Sequence, residues 1–302
     1  MYSIAIHGGA GAVPRDTLSA QRERQYRAGL AAALDLGYAA LEKGGSSLDA
    51  VTTAVRTLED DPLFNAGRGA ALSREGAAEL DAAIMEGREQ RAGAVAAVRH
   101  VRNPIELARR VMEKSRHVLL VGAGAEEFAL EEGLALVPNA YFRTEERQAQ
   151  LESERTGRVI SELVPSSQGT VGAVALDAAG DLAAATSTGG MTSKRQGRVG
   201  DSPIIGAGTY AKNGVCAVSA TGQGEYFIRA VAAHHICAAM EFRGLPLRQA
   251  VCELLHQRIR ELGGSGGVIA IDRGGRMVTE FSTEGMFRGI RDSSGLRQID
   301  IY

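Results

Sequence analysis

Apolar and polar positions along the chain switch repeatedly between a period of two and a period near 3.6, so strands and helices are both expected. Residues 2–7 read as a buried strand running into a glycine-rich turn, Gly8-Gly9-Ala10-Gly11. Residues 17–43 carry a helical rhythm that stops at Gly44-Gly45, a good C-cap. Ser46-Ser47-Leu48-Asp49 places a hydroxyl three residues ahead of an acid, a capping-box start for a helix reaching about Asp60, closed by Pro62. A loop follows at 64–69, then strands near 79–85 and 92–99. Asn103-Pro104 serve as cap and first turn of another helix. Residues 117–121 predict a strand, and a short acidic helix runs from about Ala125 to Glu132.

Residues 141–168 are charge-rich and poor in large apolar groups, which predicts a solvated helix running into a flexible linker that ends Pro165-Ser166-Ser167-Gln168. A boundary falls there. Thr170 then opens a buried strand, and the turn 178–181 leads into 182–188, completing a hairpin. Beyond it the pattern predicts a glycine-rich loop to about 213, a strand at 215–220, one long helix over 225–243, a second over 246–262, and a final hairpin turning at 272–275. No internal repeat is present, and the whole reads as an α+β chain.

With 302 residues, 44% of them hydrophobic, the chain can bury one large core or two modest ones. A net charge of −2 supplies no basic field, which excludes nucleic acid and anionic membrane surfaces as partners and leaves a small molecule or a peptide as substrate. Cys216, Cys237 and Cys252 form no CxxC pair and are odd in number, which argues against a disulfide framework or a thiolate metal site. No basic stretch precedes an apolar one at the N-terminus, and no apolar run reaches 18 residues, so a cytoplasmic location is expected. Glycine is the compositional outlier, at 38 residues about twice its ordinary share of roughly 7%.

Glycine motifs invite a nucleotide reading that fails on inspection. The positions where a third fingerprint glycine would let a helix pack on its strand are Pro14 and Glu127, and Glu126-Glu127 would repel a pyrophosphate. The run 263–267 lacks the Lys and hydroxyl of a phosphate loop. Six histidines offer no HExxH. Only His7, at the mouth of a strand beside glycines, is a site candidate. What remains is a concentration of hydroxyls, glycines and an Arg/Asp pair over 169–225, for which ordinary β-forming threonines and a surface ion pair Arg198/Asp201 are the bland explanations.

Taken together, seven segments resemble the plant-type L-asparaginase and isoaspartyl peptidase family of N-terminal-nucleophile hydrolases. They are His-Gly-Gly-Ala-Gly at 7–11, Phe-Asn-Ala-Gly at 64–67, Glu-Leu-Asp-Ala at 79–82, Gly-Thr-Val-Gly-Ala at 169–173, Ser-Thr-Gly-Gly-Met at 187–191, Gly-Arg-Val-Gly-Asp-Ser at 197–202 and Thr-Gly-Gln-Gly-Glu at 221–225. The resemblance spans nearly the whole chain. It implies a four-layer αββα sandwich made as an inert precursor and cut between Gly169 and Thr170, giving an α subunit of 1–169 and a β subunit of 170–302 that share one core, with two such pairs assembling. It also implies hydrolysis of β-aspartyl dipeptides and of L-asparagine.

The chemistry needs these residue types. A threonine hydroxyl is a weak nucleophile, and cleavage would free an α-amine with a pKa of roughly 7.7–8.0 on the same residue to serve as its base. Gly169 leaves the preceding carbonyl open to attack. By position in the family, Thr188 would orient Thr170, and the Thr221 hydroxyl and Gly222 N–H would stabilise the oxyanion. Arg198 would clamp the substrate α-carboxylate and Asp201 would receive its α-ammonium. Gly224 would permit close approach of the backbone to substrate, and Asn65 would support the nucleophile from the other subunit. No cofactor is implied beyond a structural sodium held by backbone carbonyls of the loop from Leu58 to Arg68, where Arg68 adds a charge. Two rivals stay open: a glycosylasparaginase, against which Gln168-Gly169 and the missing signal speak, and an uncleaved protein that holds aspartyl ligands through Arg198 and Asp201.

Overall fold

A computed structural model of the chain describes residues 1–11, 18–157 and 169–302. The expected linker from Pro165 to Gln168 lies outside the described residues. Strand β1 (Ser3–Gly11) is followed by helices α1 (Ala20–Glu42) and α2 (Ser47–Asp60), strands β2 (Leu80–Glu86) and β3 (Ala92–Val98), and helix α3 (Pro104–Lys114). Strand β4 (Leu119–Val121) and helices α4 (Gly122–Glu131) and α5 (Glu145–Thr156) complete the part before Gly169. After it come β5 (Val171–Leu176), β6 (Leu182–Thr188), β7 (Thr209–Lys212), β8 (Cys216–Gly222), α6 (Gly224–Ala230), α7 (Ala232–Arg243), α8 (Leu247–Cys252) and β9–β12 (Gly266–Asp272, Met277–Phe281, Gly285–Asp292, Arg297–Asp300).

The strands form two sheets, one in the order β12-β11-β1-β5-β6-β2-β3-β4 and one in the order β10-β9-β8-β7. Side chains sort by the period-two rule. Val171, Ala173 and Ala175 of β5 join a core with Leu30, Leu34, Val51 and Val55 of α1 and α2. Val174 and Leu176 point the other way and pack with Ala217, Ile269 and Ile271 of the second sheet. That sheet's opposite face, Val218, Ala220, Val268 and Ala270, is covered by Ile236, Val251 and Leu254 from the helices after α6.

Several local signals act as their chemistry dictates. Ser46 and Asp49 form a complete capping box at α2. Pro104 occupies the first turn of α3, although the Asn103 side chain makes no cap bond and turns instead toward Asp60. Elsewhere the structure corrects the sequence reading. The segment 8–11 is not a turn but continues β1, with a register shift between His7 and Gly9 where the strand pairs β11. The stretch to 213 is not all loop, since β7 lies within it. The helix expected over 225–243 is two, broken at Val231, whose φ of +49° no glycine or proline announces. The second helix is α8 widened into a π-helical stretch, Glu253–Ile259. The hairpin at 272–275 is not final: β11 and β12 follow and return beside β1.

Candidate active site

The alternation that sorts the cores also lines up the hydroxyls. Thr186 and Thr188 share the face of β6 that Ala184 presents to the second sheet, and Ser219 and Thr221 share the face of β8 that Ala217 presents to the first. Thr170 precedes β5, whose Val171 pairs with Ser187, so its side chain falls on the same inter-sheet side as Thr188. The Thr170 hydroxyl donates to Thr188 Oγ1 at 3.3 Å. Thr188 in turn donates to the Gly169 carbonyl at 3.2 Å and accepts the Gly190 N–H at 3.0 Å, which uses the whole capacity of one hydroxyl. Asn65 Nδ2 donates to the carbonyls of Gly169 and Gly190, both at 2.7 Å, while its Oδ1 accepts from Ala71 N.

In front of these groups lies a recess with about 260 Å³ of unfilled space, lined by Gly169, Thr170, Thr188, Gly190, Met191, Arg198, Gly200, Asp201, Ser202 and Gly222. Six residues expected from the sequence therefore border one cavity. Thr221, fully buried, lies just behind, its Oγ1 accepting from Ala10 N at 3.2 Å and its own proton left to donate. Gly224 does not line the recess. Its place is beneath it, where a Cβ would fall 2.8 Å from Asp201 Oδ1 and 3.1 Å from Arg198 Nη2. Asn65 also stands behind the wall, on the segment before the Gly169–Thr170 bond.

The surface ion pair Arg198/Asp201 is not what forms. Arg198 is held by Glu225, through Nε at 2.9 Å and Nη2 at 2.8 Å, with Nη1 left beside Gly200. Asp201 is 3% exposed, and its Oδ2 has no hydrogen-bond partner among the described residues, nor has the Ser202 hydroxyl beside it. Burial raises Asp201 to about 7, against the pull of its own backbone N–H and the Arg198 charge. A buried acceptor without a donor, opening on a cavity, is suited to a cationic ligand group. The Glu-Leu-Asp-Ala segment supports this loop from below: Glu79 accepts the Gly197 N–H at 2.9 Å and its carbonyl accepts from Lys194 Nζ at 2.8 Å, while Asp81 accepts the Ala97 N–H.

The sequence candidate His7 does lie against Thr170, but sequence reasoning missed the buried chain of polar groups that it joins there. His7 Nδ1 lies 2.8 Å from the Thr170 carbonyl oxygen and Nε2 lies 2.9 Å from Ser219 Oγ. Ser219 meets Thr186 at 2.7 Å, and Thr209 donates to Thr186 at 2.7 Å. Because a carbonyl can only accept, His7 must carry its proton on Nδ1 and receive the Ser219 proton on Nε2. Desolvation drives the imidazole down to about 3, so it stays neutral. Gly172 makes room, since a Cβ there would collide with Ser219 Oγ and His7 Nε2. The available signal was the period-two spacing of Ser219 with Thr221 and of Thr186 with Thr188. A second missed group is Glu59, fully buried, pushed up to about 8 by burial and bonded to Ser187 Oγ at 2.6 Å, next to Thr188.

The loop entering the site, Leu58 to Arg68, gathers carbonyls. A Cβ on Gly67 would collide with the Glu59 carbonyl oxygen, and one on Gly69 would collide with that of Phe64 and come within 2.5 Å of that of Pro62. Arg68 points away, its guanidinium 5.8 Å from the centre of the Tyr141 ring. No helix among the described residues is long and apolar enough to cross a membrane.

A family profile described as asparaginase matches residues 1–301. The chain is 51% identical over 294 residues to the isoaspartyl peptidase of Escherichia coli (strain K12), covering 94% of this chain and 91% of the relative. It is 44% identical over 284 residues to an isoaspartyl peptidase/L-asparaginase of Mus musculus, covering 94% and 86%. It is also 44% identical over 286 residues to one of Xenopus laevis, covering 94% and 90%.

Proposed function

This chain belongs to the asparaginase family, and on that premise we propose that it is an amidohydrolase acting on β-aspartyl dipeptides and L-asparagine, made as a precursor that cuts itself before Thr170. The observation that carries this reading is the setting of the Gly169–Thr170 peptide. Its carbonyl receives two hydrogen bonds, from Asn65 and Thr188, while the Thr170 hydroxyl one residue on is oriented by Thr188. Attack by Thr170 Oγ1 on the Gly169 carbonyl carbon would develop negative charge on the oxygen those two donors hold. The C–N bond then breaks, the acyl group passes from nitrogen to oxygen, and water hydrolyses the ester. A free α-amine is left on Thr170, the C-terminal carboxylate on Gly169, and the chain becomes the segments 1–169 and 170–302.

The same hydroxyl then serves substrate. The new amine takes its proton as Oγ1 attacks the side-chain carbonyl of the aspartyl unit. Charge on that oxygen falls to the Thr221 hydroxyl and the Gly222 N–H, and the amine returns the proton to departing ammonia or the departing peptide amine. Water hydrolyses the acyl-enzyme to L-aspartate. Arg198 Nη1 faces the α-carboxylate and Asp201 Oδ2 the α-ammonium, which selects an unblocked aspartyl unit. Gly224 keeps both heads close together by having no side chain.

We read the layers as the αββα sandwich of N-terminal-nucleophile hydrolases and the assembly as two cleaved pairs. The carbonyls of Glu59, Pro62 and Phe64 suit a monovalent cation such as sodium, which would stiffen the loop that carries Asn65. Intact mass and N-terminal sequencing after incubation at neutral pH test the proposal. Two fragments are expected, the second beginning Thr-Val-Gly-Ala, with turnover of β-aspartyl-leucine appearing alongside; Thr170→Ala is expected to give neither. A chain that stays whole yet hydrolyses substrate would refute it.

A further inference from the structure

Far along the chain from the recess, the helices that cover the second sheet bring a cysteine, a histidine and a glutamate together. Cys252 ends α8 and His256 lies four residues on, one helical turn away on the same side of the helix. Glu280 reaches the pair from β10, the edge strand of the four-stranded sheet. One ligand atom from each, all within 4.8 Å of one another, makes this the only such group of three among the described residues. His256 Nε2 already lies 3.0 Å from Glu280 Oε1, and all three side chains are partly exposed rather than sealed in the core.

We propose that Cys252, His256 and Glu280 form a binding site for a borderline-soft divalent cation, zinc above all, that ties the edge strand to the helix layer. Sulfur, imidazole nitrogen and one carboxylate oxygen are the donor set such an ion takes, with bonds of roughly 2.0–2.3 Å that place neighbouring ligand atoms roughly 3.3–3.6 Å apart. The His256–Glu280 pair is already at least that close, so it is the spacing to Cys252 Sγ that has to adjust, by about 1 Å at most, within reach of a change of side-chain rotamer. A fourth position faces solvent and suits water. Binding converts the Cys252 thiol to a thiolate and releases one proton, and the Glu280 carboxylate contributes the second negative charge that offsets the ion. Arg248 competes for these ligands, its Nη2 lying 3.9 Å from Glu280 Oε2 and its guanidinium also hydrogen-bonding Cys252, but its side chain is 79% exposed and free to swing into solvent. The site falls where α8 widens into its π-helical stretch, a distortion that recurs at functional positions. The sequence expectation of no thiolate metal site rested on the lack of a CxxC pair. Donors drawn from a helix and a distant strand leave no such mark.

This proposal is independent of the reading of Thr170, and its test uses metal alone. Chelator-treated full chain is titrated with zinc chloride by calorimetry, and with cobalt(II) by absorption. Uptake of one zinc per chain is expected, with a thiolate-to-cobalt charge-transfer band and a rise in melting temperature on adding zinc. Cys252→Ser is expected to abolish the cobalt band, and Glu280→Gln and His256→Gln to weaken zinc by tenfold or more, each variant melting like the wild type in chelator. No stoichiometric uptake, or uptake and band unchanged in the variants, would overturn it, the latter placing the ion on other side chains.

Discussion

The side-chain amide of Asn65 holds the Gly169 carbonyl oxygen at 2.7 Å from a loop more than one hundred residues earlier in the chain. A second bond from the same nitrogen, to the Gly190 carbonyl, fixes its direction, and the Ala71 N–H fixes its oxygen. The amide is thus aimed before any chemistry begins. Asn65→Ala is expected to slow maturation by ~10²–10³, the usual cost of one oxyanion donor. A time course of fragment appearance on denaturing gels checks this; an unchanged rate would remove Asn65 from the cleavage step.

Arg198 borders the recess, where Glu225 holds it, and among the described residues it makes no hydrogen bond to the Gly169–Thr170 peptide. Arg198→Lys should leave self-cleavage intact and raise KM for L-asparagine by about 10–100-fold, since hydrogen bonds to charged groups contribute roughly 1.5–3 kcal/mol and lysine cannot match the planar fork. Steady-state kinetics on fully cleaved variant separates this from a maturation defect.

Asp201 makes a prediction in pH. Its folded-state value of about 7 exceeds the ordinary carboxylate value, so the folded chain keeps a proton that the unfolded chain has released. The stability tied to that proton is fully present below the unfolded value and is lost as pH rises through about 7. Asp201→Asn carries no such charge. Its melting temperature should match the wild type near pH 4 and exceed it at pH 8, while its substrate binding fails. A difference in melting temperature that does not grow with pH would mean that the carboxylate is not buried uncharged.

Gly9 has φ +113°, and a Cβ there would fall 2.8 Å from the Gly169 Cα. Gly9→Ala is therefore expected both to destabilise the fold, by on the order of 1–3 kcal/mol, and to delay the proposed cleavage by moving the Gly169–Thr170 peptide. Gly44→Ala is the control: φ is +83° there too, but nothing lies within 4 Å of the added carbon, so stability should fall with maturation unaltered. Denaturant unfolding and the cleavage time course read the two effects separately.

The sequence spoke most clearly where chemistry is local. The capping box at Ser46, the proline start of α3, the hairpin turning at 178–181 and the burial of the strand after Thr170 all depend on neighbours within a few residues. The residues bordering the recess were reached through motif resemblance, because no spacing rule links Arg198 to Thr170. The hidden parts were long-range. His7 meets Ser219 across 212 positions, and its neutrality follows from complete burial, which no window of sequence displays. β11 and β12 were overlooked because their glycines and charged residues blur the alternation, although Gly289 is what lets Leu34 and Ile6 pack closely there. The break at Val231 had no local signal to detect; just after it the N–H groups of Ala233 and His234 donate to the distant carbonyls of Ala207 and Gly206.

The order of strands in the larger sheet has one more consequence. β1, from the first segment, is hydrogen-bonded on one side to β5 and on the other to β11, both from the second, and β6 of the second lies against β2 of the first. The two products of a cut before Thr170 would be woven through one another like the plies of a cord. Neither could leave without breaking the ladders on both flanks of β1 together with the pairing of β2 to β6. Severing the backbone would change what the nucleophile can do while leaving the number of cooperative unfolding units at one, and the fragments would part company only when the whole sheet comes undone.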